Sequence, residues 1–214
     1  MKGLLIKDSL LLRRNNRSLL TLILVCVVMG FSLGENVPFI LCYTATVFGV
    51  LALGTISYDE FDNGYPFLMS LPVERKTYAK EKFVFCILAE IIGLAVGLLV
   101  CVLFSTVRGG TIDMKEALMM IIVALPVLIM AMSVLIFIQL KYGSEKGRLM
   151  MFVIYGVILA VGALIAKFSG SLHLDEKLSG VTPAMGAAVL LCIAALFIFI
   201  MLRLSIRAVQ KKEY

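Results

Sequence analysis

Long apolar runs alternate with short polar interruptions along this chain, and each run approaches the roughly 20 residues that an α-helix needs to cross a bilayer. The pattern predicts six such helices, near Ser18–Leu33, Val37–Ser57, Phe83–Ser105, Ala117–Leu140, Leu149–Phe168 and Pro183–Leu204. The first is the shortest and borrows from the polar residues before it. The expected fold class is all-α: a polytopic membrane protein with six transmembrane helices, forming one domain over residues 1–214. Turn chemistry punctuates the runs. Gly34-Glu35-Asn36-Val37-Pro38 supplies a glycine to end one helix and a proline to open the next. Asp113 with Glu116 has the spacing of a capping box, and Thr182-Pro183 that of an N-cap followed by proline. Pro126 interrupts the fourth run and is a candidate kink.

Composition supports lipid as the solvent. Of 214 residues, 61% are hydrophobic and only 16% charged, with a mean hydropathy of +1.04, which leaves too little polar surface for a soluble domain. The net charge of +6 would raise the question of nucleic acid in a soluble protein. Its distribution answers otherwise, and no nucleic-acid partner is expected. With the N-terminus inside, all but Arg108, Lys115, Lys167 and Lys177 of the 20 Lys and Arg fall on inner segments, so both termini are expected in the cytoplasm. A second apolar run follows the first almost at once, with no small-residue cleavage motif between them, so the first reads as a retained span rather than a signal peptide. Five cysteines fall inside predicted spans at no metal-ligand spacing and read as small apolar residues.

The segment 1–17, "MKGLLIKDSLLLRRNNR", precedes the first span. Wound as a helix, it gathers Lys2, Lys7, Arg13, Arg14 and Arg17 within an arc of about 140°. Leu4, Leu5, Leu11 and Leu12 lie on the other side, Ile6 and Leu10 intrude on the basic arc, and Asp8 on the apolar one. One reading is an interfacial helix with its leucines in lipid and its cations at anionic head groups. The other is simple topogenic charge.

The strongest interruption is the loop 58–82, which contains "YDEFDNGYPFLMSLPVERKTYAK". Burying Asp59, Glu60, Asp62, Glu74, Arg75 and Lys76 in the bilayer would cost about 15 kcal/mol at a lower-end ~2.5 each. The segment is therefore expected as a cytoplasmic loop, and its length marks it as functional or disordered. Phe61, Tyr65, Phe67, Leu68, Met69 and Leu71 supply too much apolar surface to remain in water. Pro72 suits a first helical position, Glu74 the positive end, and Lys80 and Lys82 the negative end, which predicts a short helix over Pro72–Lys82 with exposed charges fit to dock a protein. The alternative is a solvated loop with an incidental turn.

Phe67-Leu68-Met69-Ser70-Leu71-Pro72-Val73-Glu74-Arg75-Lys76, followed by Tyr78-Ala79-Lys80-Glu81-Lys82, together with the six-span topology, resembles the membrane subunits of type-two ATP-binding-cassette exporters. The resemblance implies that Pro72–Lys82 is the coupling helix, with Pro72, Val73, Glu74, Arg75, Lys76, Tyr78, Lys80 and Lys82 at the contact with an ATP-binding subunit. It implies that 1–17 is the connecting helix, and that a second permease subunit, identical or related, completes the pathway. It also implies a bacterial plasma-membrane setting and, by likeness to small permeases for phenol-soluble modulins and bacteriocins, an amphipathic or antimicrobial peptide, or a lipid-like molecule, as cargo. The connection Ser169–Thr182 departs from larger members, having room only for a short hairpin where they carry re-entrant helices or a domain.

No G-x-x-x-x-G-K-[ST] stretch occurs, so ATP and magnesium are expected on a separate subunit, with no cofactor held by this chain. His173 is the single histidine and no catalytic motif accompanies it, so the chain is expected not to be an enzyme. One carboxylate falls well within a span: Glu90, which shares a helix face with Gly93, Gly97 and Cys101. Gly93-x-x-x-Gly97 permits close helix approach. Glu90 either lines a pathway, or it snorkels or pairs with a neighbouring helix. The twelve methionines would suit a cavity for variable greasy cargo, or are lipid-facing filler. The leading expectation is an exporter permease. The alternative is a stand-alone secondary transporter or channel, which would ordinarily show inverted repeats or several intramembrane charges.

Overall fold

The computed structural model describes residues 1–14, 20–22, 24–28, 37–61, 64–71, 73–108, 114–147 and 183–211, with 149–150, 152–153, 156–157 and 160. Among them all regular structure is helical: α1 (Lys2–Arg14), α2 (Val37–Glu60), α3 (Gly64–Ser70), α4 (Arg75–Arg108), α5 (Met114–Tyr142) and α6 (Pro183–Lys211). Four helices are long and apolar enough to cross a membrane, within Val37–Glu60, Arg75–Val107, Ala117–Tyr142 and Ala188–Lys211. They match the second, third, fourth and sixth predicted spans. Half of the first predicted span and most of the fifth fall outside the described residues, as do Asp113, His173 and the hairpin expected at 169–182. Pro126 lies inside α5, which continues past it to Tyr142.

The long helices have no polar face to speak of because lipid takes the place of water. On α4, Val84, Leu88, Ile91, Ile92, Leu99 and Leu103 point outward. The opposite face is buried against α2, whose inward residues recur at helical spacing through Ile40, Leu41, Thr44, Ala45, Gly49, Ala52, Leu53, Ile56 and Asp59. Two apolar clusters result. The larger joins Leu4 of α1, Leu53 and Ile56 of α2, Phe83 and Cys86 of α4, Leu135 and Ile136 of α5 and Val209 of α6. The smaller lies further along the bundle, around Leu41, Ala45 and Leu94.

Two expectations are corrected. The helix predicted over Pro72–Lys82 is not a separate element: residues 75–82 are the first two turns of the 34-residue α4, which runs on into the span. Nothing between Arg75 and Phe83 breaks a helix, and Ala79, Lys80, Glu81 and Lys82 all favour one. A change from charged to apolar residues marks the edge of the bilayer, not the end of a helix. The separate short helix is instead α3, after which the Val73 amide donates to the Leu71 carbonyl at 2.6 Å in a tight turn before α4 begins. The second correction concerns α1. Leu4 is buried, and Leu5 and Leu12 pack against the larger cluster, so these leucines cover protein rather than lipid. Ile6 and Leu10 face outward.

The end of α5 is tied back to the end of α2. Gly143, at φ +85°, takes a left-handed conformation that favours glycine, and its amide donates to the Gln139 carbonyl at 2.9 Å. The next amide, of Ser144, donates to the Glu60 carboxylate at 2.5 Å, and Gln139 Nε2 donates to Ser57 Oγ at 2.8 Å.

Candidate functional site

At the end of the bundle that carries α1, helix α4 presents a stripe at spacings of three and four: Arg75, Tyr78, Lys82, Cys86, Glu90, Gly93 and Gly97. Its first part is charged. The Lys82 ammonium is fully buried and lies between two carboxylates, forming an ion pair with Asp8 of α1 and a second with Asp59 of α2 at 2.7 Å. It also donates to Thr55 Oγ1 at 3.2 Å. Lys7 of α1 closes the group from the rim, pairing with Asp59 and, at 3.1 Å, with Asp8. Tyr78 Oη donates to Asp59 at 3.1 Å, and its ring stands 5.3 Å from the Lys82 ammonium and edge-on to Tyr65 of α3. A buried pair of this kind adds little net stability over a well-packed apolar core, yet removal of one partner costs ~3–5 kcal/mol by stranding the other. Asp8, the residue that breaks the leucine face of α1, thus pins that helix together with Lys7. Glu81 is also fully buried, with Oε2 4.0 Å from Lys82 Nζ and neither oxygen hydrogen-bonded among the described residues.

Further along, the stripe is steric. A Cβ on Gly93 would lie 2.8 Å from Ala45 Cα and from the Thr44 carbonyl, and one on Gly97 would press on the Thr44 hydroxyl and lie 3.4 Å from Leu41 Cα. The two glycines therefore let the backbones of α2 and α4 touch. Glu90 is buried in the same seam. A Cβ on Gly49 would lie 2.9 Å from Glu90 Cγ and 2.6 Å from Met132 Cε of α5, so glycine at 49 makes room for the Glu90 stem. Glu90 Oε2 has no hydrogen-bond partner among the described residues.

The residues assigned to a coupling surface divide. Tyr78 and Lys82 face inward, Val73 packs against the larger apolar cluster, and Arg75 Nη1 donates to the Gln210 carbonyl of α6 at 3.0 Å. Glu74, Lys76 and Lys80 are exposed, and Pro72 lies outside the described residues. The exposed apolar side chains come from before the turn: Phe61, Phe67 (70% exposed) and Leu71, while Tyr65 and Leu68 of the same segment are buried. Residues 3–210 match the model of the family described as ABC-2 family transporter protein. The chain belongs to that family. No curated protein and no solved structure matches it.

An ABC-2 family chain is a transport permease component, here a multi-pass membrane protein, and the family implies an ATP-binding partner. For this ABC-2 permease the outward surface of α3 and the following turn combines two apolar side chains, Phe67 and Leu71, with Glu74, Lys76 and Lys80. Glu74, Lys76 and Lys80 are the charged residues that the family resemblance singles out; the exposure of Phe67 and Leu71 beside them is added by the structure. The signal was present: in the seven-residue α3, Tyr65, Leu68 and Met69 fill one face, which leaves Phe67 pointing away. Among the described residues no group of His, Cys, Asp and Glu is arranged to hold a metal ion, and the cysteines are free.

Proposed function

We propose that the chain is one permease half of an ATP-binding-cassette exporter, gripped at α3 and the α3–α4 turn by a separate ATP-binding subunit and paired in the membrane with a second permease subunit. The charged end of the bundle then faces the cytoplasm with both termini, in a bacterial plasma membrane, and α1 lies at the lipid interface with Ile6 and Leu10 outward. The observation that carries this reading is the exposed pair Phe67 and Leu71 beside Glu74, Lys76 and Lys80, on the connection whose inward residues Tyr65 and Leu68 belong to the larger apolar cluster. Large apolar side chains held in an aqueous loop favour a protein contact. Nucleotide-driven closure of the partner acts on the membrane only through contacts that differ between states, and an anchored surface supplies them. The cargo proposed is an amphipathic peptide, on the likeness to small peptide-exporting permeases and a methionine-rich apolar chain.

The test is purification of the chain with its ATP-binding subunit. Phe67→Ser with Leu71→Ser should abolish recovery of that subunit while the permease stays in the membrane, and Lys76→Glu should weaken it. Undiminished recovery with the double variant would count against the docking surface. ATP-independent transport by the chain alone in liposomes would favour the stand-alone transporter instead.

A further inference from the structure

The polar connection between α2 and α4 contains the short α3 and a tight turn, and it is not one continuous helix. A push on such a connection would ordinarily be absorbed by bending. Beneath it, however, one ammonium ties three helices together: Lys82 of α4 holds Asp8 of α1 and Asp59 of α2, with Tyr78 and Thr55 completing the contacts to those carboxylates. We propose that Lys82 is a positioning residue of the transport cycle, making the N-terminal helix α1 travel as one body with the base of α4 when the connection is displaced. This rests on the permease reading above.

Three observations support it. Burial is complete for Lys82 and Asp8, so water does not compete for the pair. Asp8 and Lys7 are adjacent on α1, and both pair with groups at the base of α2 or α4, so α1 is held at two points rather than swivelling about one. The apolar hold on α1 is small by comparison: Leu4 is its one buried hydrophobic residue, with Leu5 and Leu12 partly covered. Charge, more than packing, keeps α1 against α4.

The experiment places spin labels on Ser9→Cys of α1 and Val84→Cys of α4, both exposed and outside the docking surface, in the full chain with its native cysteines replaced by alanine and reconstituted in nanodiscs. The parent should give one narrow distance distribution, and Lys82→Met should broaden it toward longer distances, while Lys82→Arg restores a single narrow population. In the complex with the ATP-binding subunit, trapping with ATP and vanadate should leave this distance unchanged in the parent and change it in Lys82→Met. Lys7→Met, which removes only the half-buried cation, is the milder variant should Lys82→Met fail to fold, and it should broaden the distribution to a lesser degree. A parent-like distribution in every folded variant that lacks one of these lysines overturns the proposal. If no ATP-binding subunit is recovered, the permease reading fails, and the nanodisc distances still judge the tie.

Discussion

The contact between α2 and α4 is held in two different ways along one stripe. At the charged end the partners are Lys82, Asp59 and Tyr78, and the attraction is electrostatic and hydrogen-bonded. Further along they are Gly93, Gly97, Thr44 and Ala45, and the attraction is backbone-to-backbone packing with no charge involved. The difference teaches where each kind of contact works. Lipid tails are as apolar as any leucine, so inside the bilayer only close packing distinguishes a helix partner from solvent. At the edge, where α1 is available to close over them, charges can be paired and buried, and they specify which helix ends meet.

This contrast predicts a ranking of substitutions. The largest loss is expected for Lys82→Met, by ~3–5 kcal/mol, since Asp8 and Asp59 would keep only Lys7 between them. Thermal unfolding of the detergent-solubilised chain measures it, and a loss smaller than that of a seam variant would break the contrast. Next come the glycines: Gly93→Ala would push its Cβ against the backbone of α2, an overpacking cost of ~1–3 kcal/mol. Gly97→Ala should cost a similar amount, because its Cβ would press on the hydroxyl of the buried Thr44, which donates to the Ile40 and Leu41 carbonyls. Negligible losses at both positions would mean that α2 and α4 slide apart freely. Tyr78→Phe removes a single hydrogen bond to a carboxylate and should cost ~1.5–3 kcal/mol, in the same range as the glycine variants. The smallest effect on stability is expected for Lys80→Ala, within ~0.5 kcal/mol, because the side chain is exposed.

The spans were legible because lipid sets a length that the chain must meet with apolar residues, and α2, α5 and α6 fall where the pattern placed them. The small-residue face Glu90, Gly93 and Gly97 was legible for the same reason: spacing alone puts these residues on one side of a helix. Its partner was not, since nothing in linear order says that Thr44 and Gly49 lie across from it. The base of α4 was misread as a helix of its own because hydropathy reports solvent and not backbone continuity. Asp8 and Lys82 lie 74 positions apart, and the one trace of their pairing in the sequence is that Asp8 interrupts the leucine side of α1.

The ties of Ser144 to Glu60, Gln139 to Ser57, Arg75 to Gln210 and Lys82 to its carboxylates all gather at one extremity of the bundle, like stems bound by a cord. Splaying the helices apart at the opposite extremity would break none of these bonds. Among the described residues it would exchange apolar surfaces such as Leu41 and Leu94 for acyl chains of similar character, and would give up the close backbone packing at Gly93 and Gly97. Among the described residues, polar ties therefore hold the corded end, and packing alone holds the other.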